Sequence, residues 1–217
     1  MPEDPTDPWS TLRNWFPDIE EAAWPKLQDY ATRLLEWNTK VNLVSRKDAD
    51  QFVTKHLAHS LVATTFLKLM NHSTLLDVGT GGGLPGIPMA ICYPNSQFTL
   101  IDSIAKKIMV VEDIVKGMGL KNVKVLRGRA EELPAKQRYD FVLGRAVTRI
   151  PKFHGWIKDK LRKGNRNSIK NGLIYWKGGD YREELEGQRL QPSQIWDVAK
   201  ILPNGDFEEK YILHFSA

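Results

Sequence analysis

Cysteine is almost missing from this chain: Cys92 is the only one among 217 residues, so no internal disulfide can form and a reducing, cytoplasmic setting is expected. No run of about 18 apolar residues is present to cross a bilayer. The start, Met1 to Asp7, has neither the basic nor the apolar region of a signal peptide. The Gly-Lys-Ser/Thr ending of a phosphate loop is absent too, which excludes nucleoside triphosphate hydrolysis of that kind. Metal ligands are sparse: His56 and His59 stand three apart on one expected helix with no third ligand in view, and no metal is expected. Cys92 reads as a small buried hydrophobe.

What remains is a globular composition, 41 % hydrophobic and 26 % charged, with room for one generous domain. The net charge of +5 is unevenly spread. Residues 103–170 carry 18 Lys and Arg against 6 Asp and Glu, while the chain on either side is net negative. Within that segment Arg145, Arg149, Lys152, Lys158, Lys160, Arg162, Lys163 and Arg166 interleave with Phe153, His154 and Trp156. Cations with aromatic rings among them suit a nucleic-acid backbone and unpaired bases. The plainer reading of a charge run, a solvated helix face and loop, stands beside it.

Apolar spacing divides the chain. Residues 1–17 are expected to be a disordered tail. Ile19, Ala23, Leu27, Tyr30, Ala31, Leu34 and Trp37 recur at helical spacing over Asp18–Trp37, and a second helix is expected over Asp48–Met70. Together, 18–72 form an N-terminal helical arm, a packed antiparallel pair. From 73 to 217, short apolar runs alternate with helical ones: Thr74–Val78, Gln97–Ile101, Val123–Leu126, Tyr139–Leu143 and Leu173–Trp176 are expected strands, with helices near Pro88–Cys92, Ala105–Met118, Glu131–Leu133 and Ile150–Leu161. Ile195–Leu202 and Tyr211–Phe215, around the turn Pro203-Asn204-Gly205-Asp206, are expected to form an antiparallel edge hairpin.

The informative stretch is Leu75-Leu76-Asp77-Val78-Gly79-Thr80-Gly81-Gly82-Gly83-Leu84-Pro85-Gly86, a strand running into five glycines within eight residues. Such a loop bares N–H groups and lets a ligand approach the main chain. Gly81, Gly83 and Gly86 formally match a dinucleotide motif, with Asp102 at a suitable distance. However, Asp77 two residues before Gly79 would repel a pyrophosphate, whereas it can anchor, directly or through water, the ammonium of S-adenosylmethionine. Asp102 then sits where a carboxylate accepts both ribose hydroxyls; a simple helix N-cap is the alternative. Ala130 and Glu131 are placed either to meet an adenine edge or merely to start a helix. Arg145 stands at the mouth of the same crevice, for cofactor, target base or phosphate, or as a surface ion pair.

Asp77-Val78-Gly79-Thr80-Gly81-Gly82-Gly83-Leu84-Pro85-Gly86-Ile87-Pro88, Asp102-Ser103-x-x-Lys106, Gly128-Arg129-Ala130-Glu131 and Arg145-Ala146-Val147 together resemble the bacterial ribosomal RNA small subunit methyltransferase G family, also called glucose-inhibited division protein B. Trp37-Asn38, Asn42-Leu43 and Lys177-Gly178 are similar to it as well. The resemblance implies a class I S-adenosylmethionine-dependent methyltransferase fold: a mostly parallel seven-stranded sheet, an antiparallel C-terminal hairpin and a helical arm. It further implies methylation of guanine N7 in the 530 loop of 16S ribosomal RNA, with Gly79, Leu84, Ala130, Glu131 and Arg145 touching the cofactor. The expected partner is 16S ribosomal RNA or a small-subunit precursor, met by a monomer. The chain departs from the family at His59, where members commonly carry Asp, at Lys107, where Arg is frequent, and in the longer stretch 164–168.

Guanine N7 carries an unprotonated in-plane lone pair near neutral pH, so no catalytic acid or base is expected. Holding the reactants in line contributes on the order of 7–11 kcal/mol. An Arg145 fork on both O6 and N7 would block the nucleophile, so a base contact must be to O6 or a flanking phosphate. Methylation of a small molecule or protein, a noncatalytic ribosome-assembly role, and a nicotinamide enzyme are the competing readings.

Overall fold

The computed structural model describes residues 7–45, 47–134, 136–203 and 206–217. The first six residues of the expected tail, and Asn204-Gly205 of the expected turn, lie outside them. Seven strands form one sheet: β1 (Thr74–Val78), β2 (Gln97–Asp102), β3 (Val123–Arg127), β4 (Phe141–Arg145), β5 (Gly172–Gly178), β6 (Gln194–Asp197) and β7 (Lys210–Ser216), in the order β3-β2-β1-β4-β5-β7-β6. The first five are parallel, and β7 inserts antiparallel between β5 and the edge strand β6. Strand order reverses between β1 and β4, so a crevice opens over their carboxyl ends.

Period-two alternation divides each strand between two cores. Leu75, Phe98, Leu100, Phe141, Leu143 and Ile212 face one layer; Leu76, Ile101, Val142, Leu173, Leu213 and Phe215 face the other. The first layer is closed by α1 (Pro8–Trp15), α2 (Trp24–Asn38), α4 (Gly86–Cys92) and α5 (Ala105–Gly117). The second is closed by α6 (Ile150–Ile157) and α7 (Arg182–Leu185). The arm's apolar residues therefore lie in the same core as the sheet.

Several sequence expectations are corrected. Residues 8–15, assigned to a disordered tail, form α1, because Asp7 caps the helix at Ser10 N (2.9 Å) and Leu12 and Phe16 are buried. Burying two such side chains contributes about 1.5–3 kcal/mol each, enough to order a short segment. The two arm helices do not form a simple pair: α2 packs chiefly against α4 and α5. The second arm helix is confined to Val53–Thr65 and changes pitch, with a π turn (Val53–Leu57), α3 (Ala58–Leu61) and a 3-10 turn (Val62–Thr65). The run expected as one strand over 195–202 stops at Asp197, whose carboxylate accepts Ala199 N (3.1 Å) and starts α8 (Val198–Ile201). Tyr139 and Asp140 precede β4 because Asp140 is engaged with Thr74 at the start of β1.

Candidate active site

The glycine loop takes its shape from a buried carboxylate. Asp77 Oδ2 accepts Thr80 Oγ1 (2.6 Å) and Gly86 N (3.0 Å) across the loop. A Cβ on Gly86 would stand 2.6 Å from that oxygen, so only glycine fits there. Gly79 has φ +71°, and a Cβ would meet Val147 at 2.8 Å. Asp77 Oδ1 is buried without a hydrogen-bond partner among the described residues. Burial pushes the Asp77 carboxyl up to about 7, against the lowering effect of its bonds to Thr80 and Gly86. The arm supports the loop from behind: buried Tyr30 donates its hydroxyl to Gly82 O (3.0 Å).

Asp102 closes the adjoining strand. Its Oδ2 accepts Gly81 N (3.1 Å) and its Oδ1 accepts Ile104 N (2.9 Å), so it fixes both the glycine loop and the turn into α5. Each oxygen keeps a further lone pair. A cleft of about 350 Å3 runs from Gly79 and Asp102 to Ala130, Glu131 and Trp156. Gly79, Asp102, Ala130 and Glu131 thus come together as the sequence suggested. Gly81 reaches the cleft through Asp102, whereas Gly83 and Leu84 are buried. Asp77 also lies behind the cleft wall.

The family described as rRNA small subunit methyltransferase G matches residues 23–198. A protein named ribosomal RNA small subunit methyltransferase G from Flavobacterium johnsoniae is 44% identical over 203 residues, 94% of this chain and 95% of its own length. One of the same name from Cytophaga hutchinsonii is 44% identical over 182 residues, 84% and 86% of the two lengths. The chain belongs to the rRNA small subunit methyltransferase G family. In fold it is similar to a SAM dependent methyltransferase from Aquifex aeolicus, with a TM-score of 0.53, 19% identity, and 72% of this chain and 88% of that one covered. A precorrin-6y C5,15-methyltransferase from Geobacter metallireducens gives a TM-score of 0.54 at 13% identity, covering 81% and 90%. The architecture is that of the class I S-adenosylmethionine-dependent methyltransferases, as expected.

Beside the cleft, and sharing Ala146 with it, lies a second cavity of about 620 Å3. Lys55, His56, His59, Arg145, Lys177 and Lys210 line it, so most of its cations come from the arm and the sheet's far strands. Ala146 itself holds a left-handed conformation, φ +52°. Arg145 is no surface ion pair. Its Nη1 donates to His56 O (2.9 Å) and Ser60 Oγ (2.8 Å), and its Nη2 to His56 Nδ1 (2.6 Å), fastening β4 to the arm. Burial lowers the Arg145 guanidinium to about 10, which leaves it charged at neutral pH. Burial and the charges of Arg145 and Lys210 hold His59 neutral, and its Nε2 has no partner among the described residues.

The basic run does not make one surface. Arg149, Lys152, Lys158 and Lys163 are exposed, and Lys152 Nζ lies 5.6 Å from the centre of the Trp156 ring. Lys160, expected to meet RNA, is 2 % exposed and donates to Leu133 O (2.7 Å) and Asp159 (2.9 Å); it is a structural lysine. Arg162 pairs with Asp140 (3.1 Å), and Arg166 donates to Asn71 O (3.2 Å), both at the opposite end of the sheet from the cleft. Sequence reasoning missed Trp156 as a cleft wall and Lys55 and Lys210 as cavity lining; the Lys177-Gly178 pair was the one signal pointing there. Among the described residues no group of three His, Cys, Asp or Glu could hold a metal. No described helix is long and apolar enough to cross a membrane.

Proposed function

We propose that the protein methylates N7 of a guanine in the 530 loop of 16S ribosomal RNA, with S-adenosylmethionine as donor. It acts as a cytoplasmic monomer on the RNA or on a small-subunit precursor. The observation that carries this reading is the juxtaposition of a cleft that holds Asp102 and Glu131 beside Lys107 and Arg129 with a cavity where Lys55, Arg145, Lys177 and Lys210 outnumber Asp48 and Asp206, the two meeting at Ala146. The residues fit the donor. Asp77 Oδ1 is a buried carboxylate oxygen in want of a cation, and Asp102 stands at the cleft with acceptor capacity for sugar hydroxyls. Ala130 and Glu131 would hold the adenine's amino edge, with Trp156 beside them.

When bound, S-adenosylmethionine supplies a methyl group on a sulfonium, whose C–S bond breaks with its electron pair left on sulfur. The guanine N7 lone pair forms the new N–C bond, and the positive charge passes onto the purine without loss of a proton. This chain's task is to orient N7, exclude water and tolerate that charge. Lys55, Lys177 and Lys210 would take the phosphates that flank the base.

The test is incubation with labelled donor and small ribosomal subunits, followed by mapping of the modified nucleotide. Label at N7 of one 530-loop guanine is the expected result. Label only on protein or metabolites contradicts the reading.

A further inference from the structure

Arg145 offers five N–H donors. The arm takes three: Nη1 spends both hydrogens on His56 O and Ser60 Oγ, and Nη2 spends one on His56 Nδ1 at 2.6 Å. A guanidinium has no lone pair to offer, so Nδ1 must be the acceptor and the imidazole proton must sit on Nε2. On that side lies Asp48, its Oδ2 3.6 Å from Nε2, a negative charge that favours the same tautomer. Phe52 stacks on the ring with centroids 6.1 Å apart, which restrains its plane. The imidazole belongs to the π turn Val53–Leu57, a wide turn of a kind that recurs at functional sites.

Both Nη1 and Nη2 meet His56, so the hydrogens left over are Nε–H and the second Nη2–H. These form the parallel fork that matches two oxygens of a carboxylate or phosphate. We propose that His56, as its Nε2–H tautomer backed by Asp48, is a positioning residue that holds Arg145 with this fork presented to an oxyanion at the junction of cleft and cavity. The inference rests on the methyltransferase reading, and the oxyanion is either the cofactor's carboxylate or a phosphate of the target strand. Burial and the Arg145 charge bring the His56 pKa down to about 4, so the acceptor lone pair persists across the working range.

Three variants test it. His56→Asn keeps an acceptor near the place of Nδ1, His56→Gln moves the acceptor out toward Nε2, and His56→Phe removes it. The Gln and Phe variants should lose about 10- to 100-fold in kcat/KM for small-subunit methylation, as loss of a hydrogen bond to a charged group implies. His56→Asn should stay within about threefold of the wild type, since it retains that bond. A raised donor Kd in calorimetry identifies the carboxylate as the ligand, and a raised KM for the RNA identifies the phosphate. Independently of activity, 15N NMR of the wild-type protein without cofactor should find His56 protonated at Nε2 and bare at Nδ1 at pH 7. A proton on Nδ1, equal losses in all three variants, or a Phe variant with wild-type kcat, KM and donor affinity would overturn the proposal. A wild type that labels no ribosomal RNA sinks the functional reading instead, and the tautomer measurement still decides this inference.

Discussion

The two ends of the parallel strands treat buried polar groups in opposite ways. At the amino-terminal end Asp140 is saturated: Oδ2 accepts Thr74 N (2.9 Å) and Thr74 Oγ1 (3.2 Å), while Oδ1 accepts Arg162 Nη1 (3.1 Å) and Asn171 Nδ2 (3.0 Å). Asn167 beside it accepts Met70 N (2.9 Å) and Ser73 Oγ (2.9 Å). At the carboxyl-terminal end lie all three buried side-chain atoms without a partner among the described residues: Asp77 Oδ1, His56 Nε2 and His59 Nε2. An unsatisfied buried group costs about 1–3 kcal/mol. His56 Nε2 faces Asp48 at 3.6 Å, but Asp77 Oδ1 behind the cleft and His59 Nε2 beside the cavity mark an end kept incomplete for ligands, whereas the other end is finished and only holds the fold.

The largest effect should come from Asp102→Ala, which removes the carboxylate that lines the cleft and fixes the glycine loop. Single-turnover methylation should fall about 100- to 10,000-fold, as two hydrogen bonds to a charged group imply, while Arg166→Ala at the finished end leaves it unchanged. Equal effects of the two would erase the contrast. Next is Lys160→Ala, which should cost about 1–3 kcal/mol of stability by leaving Leu133 O without its donor. Chemical denaturation measures it, and the salt dependence of RNA binding should not move.

The pH dependence of stability sharpens the difference further. Asp77 titrates near 7 in the folded protein but near 3.8 unfolded, so between those values the folded state holds the extra proton. This group's contribution therefore falls as pH rises from 4 to 7 and is level above 7. Melting curves between pH 5 and 8 should show that slope, and Asp77→Asn should abolish it. The smallest effect is expected from Lys152→Ala: stability within about 0.5 kcal/mol of wild type, with the salt slope of RNA binding reduced by about 1.

Much of this contrast was legible beforehand, and the part that was not has a physical cause. The strands β1 and β2 announce themselves through apolar runs ending at Asp77-Val78-Gly79 and Asp102, so the loop-shaping Asp77 and the cleft residues Gly79 and Asp102 were readable together. The split of the basic run was not. α6 descends about 12 Å, at about 1.5 Å per residue over its eight residues, from the cleft end toward the other. Lysines and arginines adjacent in sequence on either side of it consequently serve opposite ends of the sheet. The Arg145–His56 and Tyr30–Gly82 bonds join residues 89 and 52 apart, which no local periodicity records. α1 was missed because its cap lies in an acidic, proline-rich stretch that reads as tail.

Calorimetric titration of the wild-type protein with S-adenosylmethionine, beside NAD, tests the central claim most directly. One molecule of S-adenosylmethionine bound per chain, lost in Asp102→Ala, with no heat from NAD, is the result this account predicts. No binding of S-adenosylmethionine, or a preference for NAD, would contradict it.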